Sequence, residues 1–234
     1  MNRVNTKGFT LIELMLAMTF ISVLLIAIAM TTIQMSNIYT KGITLREVNQ
    51  AGRTVSDDLQ RSIGASSPFD LGDIKKYIHD NVGGRLCVGK YSYIWSYGEA
   101  ISNNSATNRY QGTDNEIVRF AKVSDPAGNM CLPTGNNGQG PLPRPSKDDS
   151  RELLASGDRD LALHNFTITE TAREAATSQA MYAISFVIGT NDQAQLTTND
   201  TSCRPPSDDV GAEDYCSVNQ FDIVARAGNQ SEGQ

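Results

Sequence analysis

The stretch "KGFTLIELMLAMTFISVLLIAIAM" (Lys7–Met30) decides the fold, because almost every residue after its glycine is apolar. From Phe9 to Ile33 the only formally charged residue is Glu13. About 20 consecutive apolar residues are enough to cross the hydrocarbon core of a bilayer as a helix. The run is longer than the apolar core of a secretory signal peptide, and no clear A-x-A-like cleavage site follows it. We therefore expect a transmembrane helix over residues 9–33.

Two basic residues, Arg3 and Lys7, precede the apolar run. Basic residues are enriched on the cytoplasmic side of a membrane helix, so this placement favours a cytoplasmic N-terminus. The rest of the chain is then extracytoplasmic. On hydropathy alone, an ordinary N-terminal anchor is the alternative interpretation.

The residues "KGFTLIELM" carry more information than their hydropathy. They resemble the prepilin cleavage and methylation motif of type IV pilins and of the pseudopilins of type II secretion. The resemblance is strong from Met1 to about Ile63 and generic beyond. It implies that a prepilin peptidase removes residues 1–8 as a leader by cutting after Gly8, and then methylates the new N-terminal amine of Phe9.

Glu13 matches the characteristic glutamate of that family. A carboxylate in the bilayer centre costs roughly 2.5–3.5 kcal/mol, so its presence needs a reason. Cleavage would place a positive amine at Phe9, about one helical turn away. In the family the glutamate meets the amine of a neighbouring subunit and sets the register of assembly. A pair within the same first turn is the alternative, and both arrangements remain open.

Helical periodicity continues beyond the membrane run and predicts an amphipathic extension over residues 34–64. Gly42 is a candidate bend near the exit from the bilayer, or else a site of close packing, and Pro68 ends the pattern. The predicted buried stripe consists of Ile43, Val48, Gly52, Val55, Leu59 and Ile63.

Residues 65–234 differ in character and fit one β-rich globular domain. The segment "YAISFVI" alternates in a way typical of a half-buried strand. "PTGNNGQGPLPRPSKDDS" (Pro133–Ser150) indicates a long loop, and "TETAREAATSQA" (Thr169–Ala180) a short helix between strands. The predicted class is α+β, with the long helix packed on an antiparallel sheet, as the pilin resemblance also implies. The β-like runs are Arg85–Tyr97, Glu116–Val123, Leu161–Thr169, Met181–Gly189 and Asn219–Arg226.

The four cysteines lie outside any CxxC spacing, which argues against a zinc or redox site. An even number outside the cytoplasm favours disulfides. Proximity along the chain favours Cys203–Cys216, which leaves Cys87–Cys131. Four buried free thiols are the alternative.

No catalytic motif emerges, and we expect neither an enzyme nor a cofactor or metal site. His79 and His164 lack ligand spacing, and "GNNGQG" (Gly135–Gly140) lacks the Lys-Ser/Thr of a phosphate loop. Removing the leader, which carries Arg3 and Lys7, takes the net charge from −6 to −8 (−6 minus +2). An acidic chain of this kind lacks the overall positive charge that is typical of proteins that bind nucleic acid.

Two surface features are weaker candidates for binding. One is an alternating aromatic row. It either covers the core and the long helix or forms an exposed face that binds a glycan or a protein partner. The other is an acidic loop that is either solvated or a calcium site. The row comprises Tyr91, Tyr93, Trp95 and Tyr97, and the loop carries Asp208, Asp209, Glu213 and Asp214. The sequons at Asn103, Asn165, Asn199 and Asn229 are interpreted as chance.

The segment "NQAGRTVSDDLQRSIGAS" is loosely similar to W-type minor pilins and J-type minor pseudopilins. The resemblance implies a non-catalytic subunit of a type IV pilus or type II secretion pseudopilus. Its partners would be other pilins or pseudopilins, the prepilin peptidase, the inner-membrane assembly platform and membrane lipid. It would reside in the plasma (inner) membrane and then in the filament. The alternative is a filament-borne adhesin or a DNA-uptake pilus subunit.

Overall fold

The computed structural model describes residues 10–103, 111–134, 140–154, 159–174, 176–197, 201–204 and 216–228. One long helix packs on two antiparallel sheets, which confirms the predicted α+β class. The globular part of the molecule, from Thr44 onward, is called the head below.

Helix α1 (Leu11–Gly64) is continuous over 54 residues, which corresponds to about 80 Å at 1.5 Å per residue. It ends four residues before Pro68, where the Ala65 N–H bonds to the carbonyls of Arg61 and Ile63. Its buried residues begin only at Thr44. The predicted stripe is therefore confirmed for its later members, Val48, Gly52, Val55, Leu59 and Ile63, whereas Ile43 is half-buried.

The two glycines of α1 have different surroundings. A Cβ at Gly42 would meet nothing within 4 Å, so no close packing within the chain explains this glycine. A Cβ at Gly52 would lie 2.0 Å from the Phe221 ring. At Gly52 the helix backbone therefore lies too close to the Phe221 ring to leave room for a side chain. The helix passes through both positions without interruption.

Five strands form the first sheet in chain order. The predicted run Arg85–Tyr97 is a hairpin of two strands, because Gly89, with φ of +58°, turns the chain between them. A short helix α2 (Gly98–Ser102) and a 3-10 turn at Asn129–Cys131 accompany this sheet. The strands are β1 (Tyr77–His79), β2 (Gly83–Val88), β3 (Tyr91–Ser96), β4 (Phe120–Ser124) and β5 (Ser150–Glu152).

Three longer strands form the second sheet, in the order β6-β7-β8. They are β6 (Leu161–Glu174), β7 (Gln179–Thr190) and β8 (Val218–Ala227). The three later β-like runs of the sequence lie within these strands. The long loop expected over residues 133–150 contains no helix or strand in its described part before β5 begins at Ser150.

The short helix predicted over Thr169–Ala180 is wrong. Strand β6 continues to Glu174, which pairs with Gln179 at the start of β7, so this segment is the end of a hairpin. The side chains of β6 are exposed on both faces beyond Ile168, so the hydrophobic alternation that marks a strand is missing there. Pairing with β7 fixes the extended conformation instead.

The head has two sheets where a single sheet was expected. They meet through one isolated parallel bridge, between Tyr97 and Leu163. The chain enters α2 at Gly98, so β3 cannot extend this contact into a ladder. Helix α1 packs chiefly on β8 and then on β7. The shared core contains Leu59, Ile63, Trp95, Phe120, Phe166 and Phe186, with Phe221 packed against it.

Candidate membrane and assembly site

The first half of α1 is apolar, and none of its described residues is buried. From Leu11 to Tyr39, every exposed large apolar side chain is at least 45% accessible. The most apolar window of the helix has a mean hydropathy of 2.6 and none of it is buried. Within the described part of the chain, α1 is the one helix long and apolar enough to cross a membrane. A contiguous apolar surface of this size is typical of a site that contacts a membrane or another protein.

Several hydroxyl groups in this half bond to carbonyls of their own helix. Thr19 donates to Leu16 O at 2.9 Å, and Ser22 donates to Met18 O at 2.8 Å. Thr31 donates to Ile28 O in the same way. Such internal bonds satisfy polar groups without water, as a lipid environment demands.

Glu13 lies in the first turn of α1 and closes a capping box with Thr10. Its Oε2 accepts hydrogen bonds from Thr10 N at 2.9 Å and from Thr10 Oγ1 at 2.8 Å. In return, the Glu13 N–H donates to Thr10 Oγ1 at 3.4 Å. The box satisfies backbone donors that a helix start otherwise leaves unpaired.

Thr10 is a residue of the candidate site that the sequence interpretation missed. The signal was present, since "TLIE" is the T-x-x-E pattern of a capping box preceding an apolar run. The carboxylate of Glu13 is therefore held by its own first turn before any partner reaches it. The predicted cleavage and methylation residues, Gly8 and Phe9, lie outside the described residues, so both proposed partners for Glu13 remain open.

The second half of α1 is fixed to the first sheet by a polar cluster, the Tyr93 cluster, made of Tyr93, Asp58, Ser62 and Lys122. The Tyr93 hydroxyl donates to Asp58 Oδ2 at 2.7 Å and lies 2.6 Å from Ser62 Oγ. Lys122 Nζ lies 3.0 Å from Asp58 Oδ2 and 3.1 Å from Ser62 Oγ. Burial raises the pKa of the Tyr93 phenol far above its usual range, so the hydroxyl remains a donor.

The aromatic row of the sequence covers the core and the helix. Tyr93 and Trp95 are fully buried, and Tyr97 is half-buried. Trp95 packs against Phe166 with ring centroids 4.4 Å apart. Tyr91 alone is 39% exposed, and the Lys122 ammonium lies 3.8 Å from the centre of its ring. The row therefore offers no continuous stacking surface for a glycan.

Both predicted disulfides are confirmed, and none of the four cysteines is free. Cys87–Cys131 joins β2 to the 3-10 turn, and Cys203–Cys216 closes the acidic loop before β8. The fully buried Arg85 supports the first region, because its guanidinium donates to the carbonyls of Met130 and Pro143. The disulfides therefore fix two loops of the head.

The remaining candidates form no site. His79 is exposed, and His164 Nε2 lies 3.1 Å from Thr190 O on the adjacent strand. Among the described residues, no group of three or more His, Cys, Asp or Glu side chains is arranged to hold a metal ion. Asn103 and Asn165 are exposed. The carboxylates of Asp208, Asp209, Glu213 and Asp214, the sequons at Asn199 and Asn229, and most of "GNNGQG" lie outside the described residues.

One helix thus has two distinct halves, an apolar half with a single capped carboxylate and a half that packs in the head. No protein-family profile, curated protein sequence or solved structure matches this chain.

Proposed function

We propose that this chain is a non-catalytic structural subunit of an extracytoplasmic filament, a minor pilin or minor pseudopilin of the W or J type. Prepilin peptidase cuts it after Gly8 and methylates Phe9. The apolar half of α1 first anchors the subunit in the plasma membrane, with the head on the extracytoplasmic side. The same surface then packs against neighbouring subunits in a type IV pilus or type II secretion pseudopilus.

One observation carries the proposal, which is the continuity of α1. A membrane-length apolar surface and the residues that pack into the core of the head belong to the same 54-residue helix. The helix begins with a carboxylate held in its first turn, that of Glu13, which is the last residue of the "KGFTLIE" motif. An unpaired charge in apolar surroundings is costly, whereas a paired one is tolerated. Pairing of Glu13 with the amine of an adjoining subunit therefore stabilises the one register in which the two charges meet.

The adhesin alternative gains no support from the head. The aromatic row that could have stacked on a glycan is largely buried. A DNA-uptake role gains none from the net charge of −6. Neither is proposed.

The processing step tests the proposal directly. The chain is expressed in a host that has a prepilin peptidase, and the membrane-extracted protein is examined by N-terminal sequencing and intact mass. We expect the mature chain to begin at N-methylated Phe9. Gly8→Val should retain the leader, because a protease site shaped for glycine excludes a branched side chain.

Asn5→Val is the matched control, since it places the same side chain within the leader but away from the cut. It should be processed like the unaltered chain. An intact leader on the unaltered protein, in a host whose own prepilins are processed, would refute the assignment.

A further inference from the structure

We infer that the short stretch of α1 between its apolar half and the head, Thr40–Ile43, is a hinge on which the head pivots. This stretch is called the neck below. The neck is helical in the structure, as is the rest of α1. Opening it breaks the hydrogen bonds of a single helical turn and leaves both halves of the helix intact. The role of the hinge rests on the membrane anchoring proposed above, whereas the pivot itself is a property of this chain alone.

The head holds α1 only beyond the neck. The first buried residue of the helix is Thr44. Further along, β8 runs parallel to α1, because side chains join the two elements at both ends of their contact. Asn219 Nδ2 donates to Asn49 Oδ1 at 2.7 Å, and Gln60 Nε2 donates to Val224 O at 3.1 Å. The second half of α1 therefore moves with the head as one body.

A membrane supports α1 only before the neck. The predicted transmembrane span ends at Ile33, and a headgroup layer of about 5–7 Å covers about four further residues of a helix. Lys41 and Gly42, in the neck, are exposed. Backbone hydrogen bonds that face water and lack buried contacts around them are the ones that open most readily. The neck is thus the part of α1 that neither lipid nor the head stabilises.

Gly42 has no packing role within the chain. A Cβ there would meet nothing within 4 Å, so alanine would fit without a clash. Alanine would favour the helical state about fivefold, which is a propensity difference of about 1 kcal/mol converted at 1.4 kcal/mol per tenfold. The chain therefore carries a helix-weakening residue where its surroundings do not demand one. Helices commonly kink at such glycines.

Two threonine hydroxyls weaken the same turn. Thr40 Oγ1 donates to Ser36 O at 3.0 Å, and Thr44 Oγ1 donates to Thr40 O at 3.0 Å. Both carbonyls also accept backbone bonds of the helix, so each is shared between two donors. Bonds of this kind slightly destabilise a helix and often bend it. The β-branched residues Thr40, Ile43 and Thr44 add a lower helix propensity than alanine or leucine would have.

The hinge gives the head a freedom that an unbroken helix denies it. A rigid helix of 54 residues would fix the angle between the head and the membrane. With a pivot at the neck, the head can turn toward a neighbouring subunit while the apolar half stays in the bilayer.

Local opening is tested by residue-resolved amide hydrogen exchange on the full chain in nanodiscs of phosphatidylethanolamine and phosphatidylglycerol. Amides of residues 42–46 should exchange faster than those of residues 20–33, which lipid covers, and of residues 48–63, which pack on the head. Gly42→Ala should slow exchange at residues 43–46 about fivefold and leave residues 48–63 unchanged. Ala27→Gly is the matched control, since it makes the reverse change under lipid. It should leave exchange in the neck as it was.

The pivot is measured as a distance distribution between two spin labels by pulsed electron paramagnetic resonance. One label is placed by Thr32→Cys in the apolar half and the other by Thr169→Cys on the head, where both side chains are exposed. The native cysteines are all in disulfides and take no label. This distribution should be broad, and Gly42→Ala should narrow it. Labels at Arg53→Cys and Thr169→Cys, both beyond the neck, should give a narrow distribution with either residue at position 42.

Three outcomes would overturn the hinge. Neck amides that exchange as slowly as residues 48–63 would show that the turn does not open. A distribution across the neck as narrow as the one within the head would exclude a pivot, and would leave Gly42 as a contact for another subunit's helix. A broad distribution that Gly42→Ala does not narrow would place the motion elsewhere. Failure of processing at Gly8 bears on the proposed function alone and leaves both measurements unaffected.

Discussion

At the scale of single residues, polar side chains surrounded by apolar ones hold α1 against the first sheet. The Tyr93 cluster links α1 to β3 and β4 through direct contacts between Tyr93, Asp58, Ser62 and Lys122. Buried polar groups cost free energy unless they are paired, so such a cluster stabilises only one arrangement of helix and sheet. The sequence placed Tyr93 in an aromatic row, but it held no sign that Asp58, 35 residues away, would accept a hydrogen bond from its hydroxyl.

Tyr93→Phe should lower the free energy of unfolding by about 1–3 kcal/mol, because Asp58 and Ser62 lose a buried partner. The matched control is Tyr91→Phe, which keeps the ring beneath the Lys122 ammonium and should have little effect. Both are measured by urea unfolding of the full chain in micelles, followed by the fluorescence of Trp95, the single tryptophan. Equal stability of the two variants would contradict a role for the Tyr93 hydroxyl.

Glu152 makes the free energy of unfolding depend on pH. Its carboxylate accepts backbone bonds from Phe120 at 2.6 Å and Arg119 at 3.1 Å, yet burial dominates and raises its pKa above the usual 4.5. The folded state therefore holds this proton over a pH range in which the unfolded chain has released it. Because the folded state binds more protons there, stability falls as pH rises through that range.

The prediction is that the unaltered protein loses stability relative to Glu152→Gln as the pH rises from about 4.5, the unfolded value. The two proteins are compared by urea unfolding at a series of pH values. Glutamine cannot ionise, so it serves as the reference for every other titrating group. A difference that stays constant with pH would show that burial and the backbone bonds cancel, and one that moves the other way would show that the bonds outweigh burial.

At the scale of elements, the two glycines of α1 differ in what surrounds them. Gly52 lets the backbone approach Phe221, whose ring stacks on Phe186 with centroids 5.3 Å apart. Gly42 has open space where a side chain would be. Both weaken a helix to the same degree by propensity. What surrounds each glycine in the folded chain distinguishes the two, and the local sequence does not.

Gly52→Ala should therefore destabilise the head by about 1–3 kcal/mol, the usual cost of overpacking a core. Gly42→Ala is the control, since its methyl group meets nothing and α1 buries no residue before Thr44. The melting temperature of the head, read from Trp95 fluorescence, should fall in the first variant and remain unchanged in the second. A similar fall in both would mean that helix conformation, and not contact with Phe221, controls the effect.

The elements that the sequence predicted were those with a strong burial pattern. α1, β7 and β8 followed from apolar periodicity, and β3 from its aromatic row. The end of β6 did not, because its side chains face water on both sides and only the pairing with β7 keeps them extended. β1 and β5, of three residues each, are too short to show a period. The division into two sheets depends on where the chain leaves β3, which no local pattern records.

At the scale of the whole molecule, the candidate site around Glu13 and the head are far apart along α1. Glu13 lies more than one bilayer thickness from the first buried residue of α1, Thr44, since the intervening helix is about 45 Å long. The motif at Gly8, Phe9 and Glu13 could be predicted from the sequence because its residues lie close together in the chain. The capping partner Thr10 was equally local and was missed only because the charge alone was considered.

Glutamine and leucine at Glu13 separate its two roles. Glu13→Gln keeps an oxygen that can cap Thr10 but removes the charge, whereas Glu13→Leu removes both. If pairing with a neighbouring amine drives assembly, both variants should enter filaments at least tenfold less, because an unpaired buried charge costs about 3–5 kcal/mol. The amount of variant in sheared filaments is measured in a strain lacking the unaltered gene. The head should melt as before in both.

A normal level of Glu13→Gln together with a reduced level of Glu13→Leu would assign the residue to helix capping and contradict the pairing role. Normal levels of both would leave Glu13 without a part in assembly.

The parallel course of α1 and β8 has a mechanical consequence. A pull along the helix axis, with the head held, acts along the length of β8 and not across it. The contacts from Asn49–Asn219 to Gln60–Val224 are then loaded together in shear, as are the side chains that pack around Gly52. Rupture in shear requires many contacts to fail at once, whereas peeling breaks them one by one. The helix should therefore withstand a far larger axial tension than a sideways force applied at its free end.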